Sequence, residues 1–551
     1  MPLLYLDIET TGLDPFTCEM VTLQLMTASG KSLIIKDPET LESIKPKLEN
    51  NLIVGHNIKF DSKFLKYRYG ITLKNVYDTY IAEIVVSGGL LAGRKGASLK
   101  DLVFKYCGVM LDKTEQCGFK KGEKLTTEQE KYAVDDLKYL PVIMQQQQAK
   151  IRMLRLEKVI ETEMKAIPAV VWLELSGINI DVEKLTEIKK KLEDQRNEAA
   201  EKLRKEFHPY AVNLNSPKQL KEALNRAGIN VEGTSVEEVS KFNGPIIEAL
   251  KDYKEAEKLL NTYAEKIPSY INPVTHRVHS NFNQYGAKSG RFTSSNPNLQ
   301  QQPAKFKEWR SIYKAQPGNK IIAADYSQIE LRILGQVAND KAFIKAYSSG
   351  VDLHRLTASR VYGVPLDKVT DNQRALSKSV NFGIAYGMWI NGLITSIRSK
   401  SGVTIGTEEA EQLINGFYKA YPAVSKYLWN ISEEGLKNRE IRNKAGRLMR
   451  FEAPKDKREE GSIKRESKNL PIQSLCADMI KVAMGNIFLK LEPKGIRFIN
   501  TIHDELVYES PESLAEEAAA VVKEEMEKAA KLYITDMPVI AETKILDAWE
   551  K

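Results

Sequence analysis

A chain of 551 residues is longer than one typical hydrophobic core requires and should divide into two or more domains. Hydrophobic residues make up 42% of the chain and charged residues 28%, which is typical of a folded soluble protein and excludes the disordered and membrane-spanning classes. The net charge of +8 is compatible with a nucleic-acid partner but does not identify one.

The four cysteines contain no CxxC pair, so the sequence indicates neither a zinc site nor a disulfide framework. The N-terminus enters a predicted strand at once, without the apolar segment of a signal peptide. No apolar run reaches the ~20 residues of a membrane span. We therefore expect a protein of a reducing, intracellular compartment.

The first predicted strand carries two acids on one face. The apolar stretches Leu3–Ile8, Val21–Met26 and Leu33–Ile35 predict the strands of a sheet. Asp7 and Glu9 are two residues apart, so their side chains point to the same side of that sheet. An ordinary strand would bury such a face with apolar side chains, so the pair is a candidate functional site.

Further acids follow within the first 150 residues. Asp61 comes after a polar turn, while Tyr132 and Asp136 are four residues apart on one predicted helical face, with Asp135 as a competing acid. Such a set of carboxylates fits phosphodiester hydrolysis by two metal ions ~3.5–4 Å apart. Oxygen ligands favour Mg²⁺ or Mn²⁺. Each fragment alone is common on protein surfaces, but all of them in order favour a metal site.

The next part of the chain is predicted to be mostly helical. An amphipathic helix ends at Gly177, and two further helices are predicted at 183–206 and at 246–267. His276 and His279 are three residues apart, but no further cysteine or histidine lies nearby, so we interpret both as surface residues rather than zinc ligands.

Acids recur in two predicted strands of the second half. An apolar run that begins at Ile321 ends with Asp325, and Asp504 and Glu505 lie between two apolar flanks. Ionised carboxylates are costly to bury without a compensating charge. Because divalent metal ions supply that charge, Asp325 and Asp504 are predicted to bind them.

Two polar stripes repeat every four residues and so lie on single faces of helices. One has two cations followed by two aromatic rings, a pattern that indicates a phosphate grip beside a stacking surface. Its members are Arg374, Lys378, Phe382 and Tyr386. The other has hydrogen-bonding groups only and consists of Arg465, Asn469 and Gln473.

In order and spacing, these segments resemble motifs A, B and C of family A DNA polymerases. Motif A corresponds to the run Asp-Tyr-Ser-Gln-Ile-Glu-Leu-Arg from Asp325, motif B to the stripe from Arg374, and motif C to the His-Asp-Glu that contains Asp504. Residues 1–150 resemble the 3′–5′ exonuclease of the same family, which is of the Asp-Glu-Asp-Asp type with a tyrosine.

The resemblance implies a domain organisation. An α/β, ribonuclease H-like exonuclease domain is expected at 1–150, and an α+β right-hand polymerase domain at 151–551. Within the polymerase domain, the thumb is expected at about 183–285, the palm at about 286–335 and 451–551, and the fingers at about 336–450. These two domains take up the whole sequence, so we expect no 5′-nuclease domain in it.

The same resemblance implies residue roles. In the exonuclease the metal ligands would be Asp7, Glu9, Asp61 and Asp136, with Tyr132 orienting the attacking water. In the polymerase they would be Asp325, Asp504 and the carbonyl of Tyr326, with Glu505 as a weaker candidate behind them. Nucleotide contacts are expected from Arg374, Lys378, Phe382, Tyr386, His354, Glu330, Gln328 and Tyr326. DNA contacts are expected from Arg291, Asn298, Gln300, Arg465, Asn469, Gln473 and His503.

The function implied is template-directed addition of deoxynucleotides to a primer 3′ end, with 3′–5′ proofreading and two Mg²⁺ or Mn²⁺ ions in each active site. Glu330 is expected to disfavour a 2′-hydroxyl on the incoming nucleotide, and Phe382 to disfavour dideoxynucleotides. The expected partners are primer–template DNA and deoxynucleoside triphosphates. We expect a monomer without membrane contact in the cytoplasm or nucleoid, with an organelle or an infected cell as alternatives.

Two other functions stay open. The chain could be an exonuclease whose polymerase-like half only binds DNA, although the presence of both Asp325 and Asp504 argues against this. It could instead be a polymerase that mainly copies RNA templates, because Glu330 disfavours ribonucleotide substrates but not RNA templates.

Overall fold

The computed structural model describes residues 2–111, 126, 135–303, 306–385, 387–401 and 403–550. Its first part contains a five-stranded sheet in the order β3-β2-β1-β4-β5. The strands are β1 (Leu3–Thr10), β2 (Met20–Thr27), β3 (Ser32–Ile35), β4 (Leu52–Gly55) and β5 (Val76–Asp78). β1, β2 and β3 pair antiparallel, whereas β4 and β5 run parallel to β1. The strands predicted from the apolar stretches are thus confirmed.

Helices cover this sheet and lead away from it. They are α1 (Pro38–Asn50), α2 (Lys59–Tyr69), α3 (Thr79–Val86), α4 (Leu99–Cys107) and α5 (Leu140–Met153). A sixth helix, α6 (Glu157–Ser176), follows and ends at Gly177 with a positive φ of 58°, as predicted. Glycine suits this position because it has no Cβ to resist that backbone conformation.

Helix α6 joins the first part of the chain to the second. Lys59 and Lys63 of α2 lie 2.6 Å and 2.8 Å from the buried carboxylate of Glu174. On the other side, the Trp172 indole N–H donates to the carbonyl of Ile496 over 3.0 Å. Both ends of these contacts are buried or half-buried, so α6 is held by α2 on one side and by the backbone at Ile496 on the other.

Two long helices pack side by side in the middle of the chain, α7 (Val182–Glu206) and α10 (Pro245–Leu259), with α8 (Pro217–Arg226) and α9 (Val236–Val239) between them. The helix predicted at 183–206 is confirmed. The helix predicted at 246–267 is α-helical only to Leu259, and it continues as a π turn at Leu260–Ala264 and a 3₁₀ turn at Ile267–Tyr270.

A second, antiparallel sheet has four strands in the order β11-β12-β8-β13. Its strands are β8 (Asn319–Tyr326), β11 (Arg497–Ile502), β12 (Glu505–Pro511) and β13 (Ala541–Leu546). Two hairpins stand apart from it, β6 (Asn281–Asn283) with β7 (Thr293–Ser295), and β9 (Glu440–Arg442) with β10 (Leu448–Arg450).

The remaining helices are α11 (Ile329–Ala338), α12 (Lys341–Ser348), α13 (Leu353–Tyr362), α14 (Asp371–Ala385), α15 (Ile390–Ser401), α16 (Thr407–Ala420), α17 (Pro422–Asn438), α18 (Lys457–Leu491) and α19 (Ala515–Lys531). They pack with the second sheet around the largest hydrophobic core. Among the helices that the structure describes, only the stretch Lys457–Lys494 is long and apolar enough to cross a membrane. Because 78% of its apolar window is buried inside the protein, it is a core helix.

One sequence-based interpretation is wrong. His279 is half-buried rather than on the surface, because it packs against the ring of Phe16, with ring centroids 4.2 Å apart. Its Nδ1 lies 2.8 Å from the carbonyl of Glu174, and its Nε2 lies 2.7 Å from the hydroxyl of Thr275. Burial lowers the pKa of His279 to about 4, so the folded protein holds this imidazole neutral.

This burial predicts how stability depends on pH. Between pH 6.5 and 4 the unfolded chain binds a proton at His279 and the folded chain does not, so stability falls as the pH falls through this range. The slope contributed by one such group is about 1.4 kcal/mol per pH unit. In His279→Gln, denaturant unfolding between pH 6 and 4.5 should show a correspondingly shallower slope than in the wild type. Equal slopes in this range would contradict the assignment, and the two slopes should coincide above pH 7.5.

Candidate active sites

Three carboxylates meet at one end of the first sheet. Asp7 and Glu9 extend from the same face of β1, and Asp136 comes from the helical segment that precedes α5. One carboxylate oxygen from each of the three lies within 4.8 Å of the others. The structure therefore brings Asp136, and not its neighbour Asp135, to the predicted pair.

Asp61 of α2 lies next to this group and contacts the backbone of β1. Its carboxylate is buried and accepts the backbone N–H of Ile8 over 3.0 Å, between the two acids of β1. Burial raises the pKa of Asp61 well above its usual range, and the negative charge of Asp7 raises it further. Asp61 is thus close enough to Asp7 for their negative charges to repel each other. Tyr132 lies outside the described residues.

A further acid was not singled out from the sequence. Asp78 is buried at the end of β5, where its carboxylate accepts the N–H groups of Asn57 and Tyr80 over 2.9 Å and 2.8 Å. Burial raises the pKa of Asp78 to about 6. An Asp before a helix is a common N-cap pattern, so only the tertiary structure reveals its closeness to Asp61.

A groove of about 1000 Å³ opens onto these acids. Asp7 and Asp136 lie in its wall, together with the cations Arg94, Lys95 and Lys100. A cavity lined by both carboxylates and cations can hold a metal-bound phosphodiester whose remaining phosphates need positive charge.

The second cluster of acids lies at one end of the second sheet. Asp325, near the end of β8, is directly opposite Glu505 of β12 in the strand register. Asp504 occupies the tight turn between β11 and β12, and its carbonyl accepts the N–H of Tyr326 over 3.4 Å. This hydrogen bond joins the backbone next to Asp325 to that of Asp504, so the two acidic segments are neighbours in the fold. Glu542 of β13 is also opposite Asp325 and was not predicted.

The side chains of Glu505 and Tyr326 are engaged by other partners. The carboxylate of Glu505 accepts the indole N–H of Trp549 over 2.9 Å and lies 3.8 Å from the guanidinium of Arg310. The Tyr326 hydroxyl donates to the carbonyl of Met526 over 2.6 Å, deep in the core. Glu505 is therefore better placed to support its neighbours than to bind metal, and Tyr326 presents only its backbone.

Two non-glycine residues beside the cluster have left-handed backbones. Gln328 has a φ of 51° between β8 and α11, and His503 has a φ of 54° in the turn before Asp504. The side chain of Gln328 accepts the hydroxyl of Tyr347 over 3.1 Å, while His503 is exposed. Such conformations cost about 1–3 kcal/mol each and cluster at functional sites.

The loop between β6 and β7 reaches the same site. Its Arg291 lies 2.7 Å from the carboxylate of Glu330, at the start of α11. After β7, the side chain of Gln300 donates to the carbonyl of Thr501 over 3.0 Å, and Asn298 accepts the backbone N–H of Gln300. This segment thus contacts the start of α11 through Arg291 and the strand β11 through Gln300.

Helix α14 carries the predicted cationic stripe. Arg374 donates to Asp352 over 2.7 Å, and Lys378, one turn further, is exposed. Phe382 follows on the same face, with its ring centroid 5.6 Å from that of His354. The stripe is confirmed as far as Phe382, and Tyr386 lies outside the described residues.

His354 is buried beside this stripe. Its Nδ1 accepts the side-chain N–H of Asn381 over 2.9 Å. Burial lowers the pKa of His354 to about 4, and the nearby cations lower it further while Asp352 opposes them. The imidazole is therefore neutral at pH 7 and carries its proton on Nε2.

Helix α18 carries the second predicted stripe and lies next to the end of α14. Its exposed Arg465 is followed at intervals of one turn by the half-buried Asn469 and Gln473, as predicted. Gly387, just after α14, has a φ of 68° and lies so close that a Cβ would be 3.1 Å from the Arg465 carbonyl. The two predicted polar stripes therefore belong to one continuous site.

Two family models match this chain. Residues 1–152 match the model described as 3′–5′ exonuclease, and residues 182–551 match DNA polymerase family A. A solved structure described as the POL domain of Pol1 from M. smegmatis, in complex with DNA primer-template and dNTP, aligns with a TM-score of 0.84 and 25% identity. That alignment covers 99% of this chain and 95% of the other.

Curated relatives give the same result. DNA polymerase I of Aquifex aeolicus is 30% identical over 582 residues, which cover all of this chain and 96% of the relative. DNA polymerase I of Pseudomonas aeruginosa is 29% identical and also matches the whole chain, which spans 63% of that protein. The thermostable DNA polymerase I of Thermus thermophilus is 33% identical over 71% of this chain, which spans 48% of it.

The first cluster of acids predicts a specific loss in Asp7→Ala. Removing one of the carboxylates that lie within 4.8 Å of one another should slow degradation of a single-stranded 3′ end with Mg²⁺ by at least about 100-fold. The shortening of a labelled oligonucleotide measures this rate. As a control, Asp37→Ala removes the exposed N-cap of α1 and should leave the rate unchanged. Degradation at the wild-type rate in Asp7→Ala would refute the assignment.

Proposed function

The chain belongs to DNA polymerase family A and is a DNA-directed DNA polymerase with a 3′–5′ exonuclease domain, and we propose here which residues carry out each reaction. The predicted fold class, an α/β exonuclease domain followed by an α+β polymerase domain, is confirmed. The observation that supports the proposal is the presence of a cluster of acids at the end of each sheet, Asp7 with Glu9 and Asp136, and Asp325 with Asp504.

We assign the exonuclease domain to 1–150 and the polymerase domain to 151–551. Within the latter, the paired helices of about 183–285 would form a thumb that grips duplex DNA by its backbone, a kind of contact that positions without reading sequence. The second sheet lies in the proposed palm, at about 286–335 and 451–551, and α14 lies in the proposed fingers, at about 336–450.

Family A enzymes use divalent metal ions, and the donor sets here fit them. Every predicted ligand is a hard oxygen. Burial raises the Asp61 pKa and the negative charge of Asp7 raises it further, and a divalent cation would offset that charge. We propose two Mg²⁺ or Mn²⁺ ions in each active site. When bound, they would lower the pKa of the attacking oxygen and offset the charge on the leaving oxygen. The ligands would be Asp7, Glu9, Asp61 and Asp136 in one site, and Asp325, Asp504 and the Tyr326 carbonyl in the other.

The triphosphate of the incoming nucleotide would lie along α14. Arg374 and Lys378 supply positive charge, and Asp352 orients the Arg374 guanidinium. His354 would donate from Nε2 to a phosphate oxygen, because its Nδ1 already accepts a hydrogen bond from Asn381. The ring of Phe382 would stack on the base or sugar.

Glu330 and Arg291 would act on the sugar and on the primer end. The carboxylate of Glu330, held by Arg291, would occupy the space that a ribonucleotide 2′-hydroxyl needs. DNA contacts would come from the exposed and half-buried polar groups nearby, which are Asn298, Gln300, Arg465, Asn469, Gln473 and His503. Minor-groove acceptors are nearly alike in all correct base pairs, so such donors sense pair geometry rather than sequence.

The proposed partners are primer–template DNA and deoxynucleoside triphosphates, the molecules named for the similar M. smegmatis structure. We propose that the protein acts as a monomer inside the cell, in the cytoplasm or nucleoid.

The first test follows a labelled primer on a longer DNA template with Mg²⁺. With deoxynucleotides the primer should lengthen, and without them it should shorten, because the two clusters of acids catalyse opposite reactions. Asp325→Ala should abolish lengthening and leave shortening intact. The matched control is Asp7→Ala, which should do the reverse.

Other outcomes of this test favour the alternative functions. Shortening under both conditions in the wild type would leave an exonuclease with a DNA-binding half. Faster extension on an RNA template than on DNA would identify a polymerase that mainly copies RNA.

Phe382 provides a second test, because its ring lies beside His354 on the proposed sugar-facing stripe. Phe382→Tyr adds a hydroxyl that can replace the interaction lost with the nucleotide 3′-hydroxyl. Dideoxynucleotide incorporation relative to deoxynucleotide incorporation should rise by about tenfold or more, the value of one discriminating hydrogen bond. Primer termination in mixtures of the two nucleotides measures this ratio. Unchanged termination would show that Phe382 does not contact the sugar.

A further inference from the structure

A buried cluster of charges lies beneath the loop between β6 and β7. It contains two acids, Glu163 of α6 and Asp478 of α18, and two cations, Arg447 from the β9–β10 turn and Lys481 of α18. Each side chain is at most 1% exposed. Arg447 and Lys481 lie 2.5 Å and 2.6 Å from the same oxygen of Glu163, and Arg447 also donates to Asp478 over 2.9 Å. The cluster is therefore neutral overall.

Stability alone does not account for such a cluster. Removing four charges from water is costly, and apolar residues of similar volume often stabilise a protein as well or better. The cost is visible at Lys481, where burial lowers the pKa to about 8 although Glu163 opposes the shift. A charge cluster of this kind is better explained by the geometry that it fixes.

The cluster fixes the backbone just before Arg291. The ammonium of Lys481 donates to the carbonyl of Gly290 over 2.7 Å. Gly290 has a φ of 78°, and a Cβ there would lie 2.9 Å from the Arg447 guanidinium, so the loop rests directly on the cluster. The next residue, Arg291, is the partner of Glu330, at 2.7 Å. A chain of contacts thus runs from Lys481 through Gly290 and Arg291 to Glu330.

The same loop is confined from its other side by the exonuclease domain. A Cβ on Gly89 would lie 2.8 Å from the carbonyl of Lys288, and one on Gly93 would lie 3.1 Å from the carbonyl of Gly286. At these two points the backbones of the exonuclease domain and of the loop are in direct contact. The loop is therefore held between the exonuclease domain and the Lys481 ammonium.

Lys481 belongs to the same helix as the proposed DNA contacts of α18. It lies eight residues, or just over two turns, beyond Gln473, on the buried side of the helix. Any shift of this helix would move the proposed DNA contacts and the Gly290 carbonyl together.

We propose that Lys481 is a positioning residue for nucleotide selection. Held by Glu163, its ammonium fixes the Gly290 carbonyl and thereby holds Arg291 against Glu330, so discrimination between deoxyribonucleotides and ribonucleotides depends on Lys481. The inference rests on the proposed role of Glu330 in excluding a 2′-hydroxyl.

The experiment measures kcat/KM for single deoxyribonucleotide and ribonucleotide additions to a primer. Lys481→Met keeps an unbranched apolar side chain and removes the ammonium. In this variant the kcat/KM for the deoxyribonucleotide divided by that for the ribonucleotide should fall about tenfold. A ratio within twofold of the wild type would overturn the proposal.

A double variant separates positioning from stability. Lys481→Met alone leaves the cluster with two acids and one cation, and Glu163→Gln in the same chain restores its neutrality. The double variant should therefore melt at a higher temperature than Lys481→Met, yet keep the low ratio because the Gly290 carbonyl still lacks its donor. A ratio that recovers together with the melting temperature would mean that stability alone was affected, and would overturn the proposal.

A control of equal burial is available elsewhere in the protein. Arg277 and Glu509 form a buried pair at 2.5 Å, and the described hydrogen bonds of Arg277 reach Gly177 and Glu509 rather than the loop. Arg277→Met should lower the melting temperature and leave the ratio unchanged. An equal fall in the ratio for this variant would show that any buried charge defect lowers discrimination, against the proposal.

Glu330→Ala separates a failure of the positioning role of Lys481 from a failure of the proposed role of Glu330. If this substitution lowers the ratio and Lys481→Met does not, the positioning role fails while the proposed function stands. If Glu330→Ala leaves the ratio at its wild-type value, the proposed role of Glu330 is wrong. The positioning role of Lys481, which acts through Glu330, is then wrong as well.

Discussion

Repulsion between carboxylates held at one end of the first β-sheet is the constraint on which the exonuclease site depends. Asp7, Glu9 and Asp136 place oxygens within 4.8 Å of one another, and Asp61 lies buried against them with a raised pKa. A folded chain keeps carboxylates this close when its scaffold is rigid and a bound proton or a cation offsets their charge. The two hydrophobic cores that surround the sheets supply the rigidity, and the proposed metal ions supply the charge.

Helix α6 links the two domains through two buried acidic side chains. Glu174 binds the lysines of α2 in the exonuclease domain, and Glu163, eleven residues or about three turns earlier, binds Lys481 in the polymerase domain. Both carboxylates are buried, so removing either one would leave buried lysines without their acid. The relative position of the domains is thus set by specific ion pairs as well as by apolar packing.

The sequence predicted those parts of the sites that local pattern determines. Alternation along β1 placed Asp7 and Glu9 together, and the four-residue repeats placed Arg374 and Arg465 on helical faces. Contacts between distant segments could not be predicted in this way. Asp78 was not singled out, His279 was interpreted as a surface residue, and no local pattern indicates that Lys481 contacts a carbonyl from another hairpin.

Direct counting of bound metal ions tests the central claim, that two separate sets of carboxylates each bind divalent cations. Electron paramagnetic resonance of a Mn²⁺ titration gives the number of ions bound by the wild type, by Asp7→Ala and by Asp504→Ala. We expect each substitution to remove the ions of its own site and to leave the other site at its wild-type occupancy. Wild-type stoichiometry in both variants, or loss of all binding in either one, would contradict the claim.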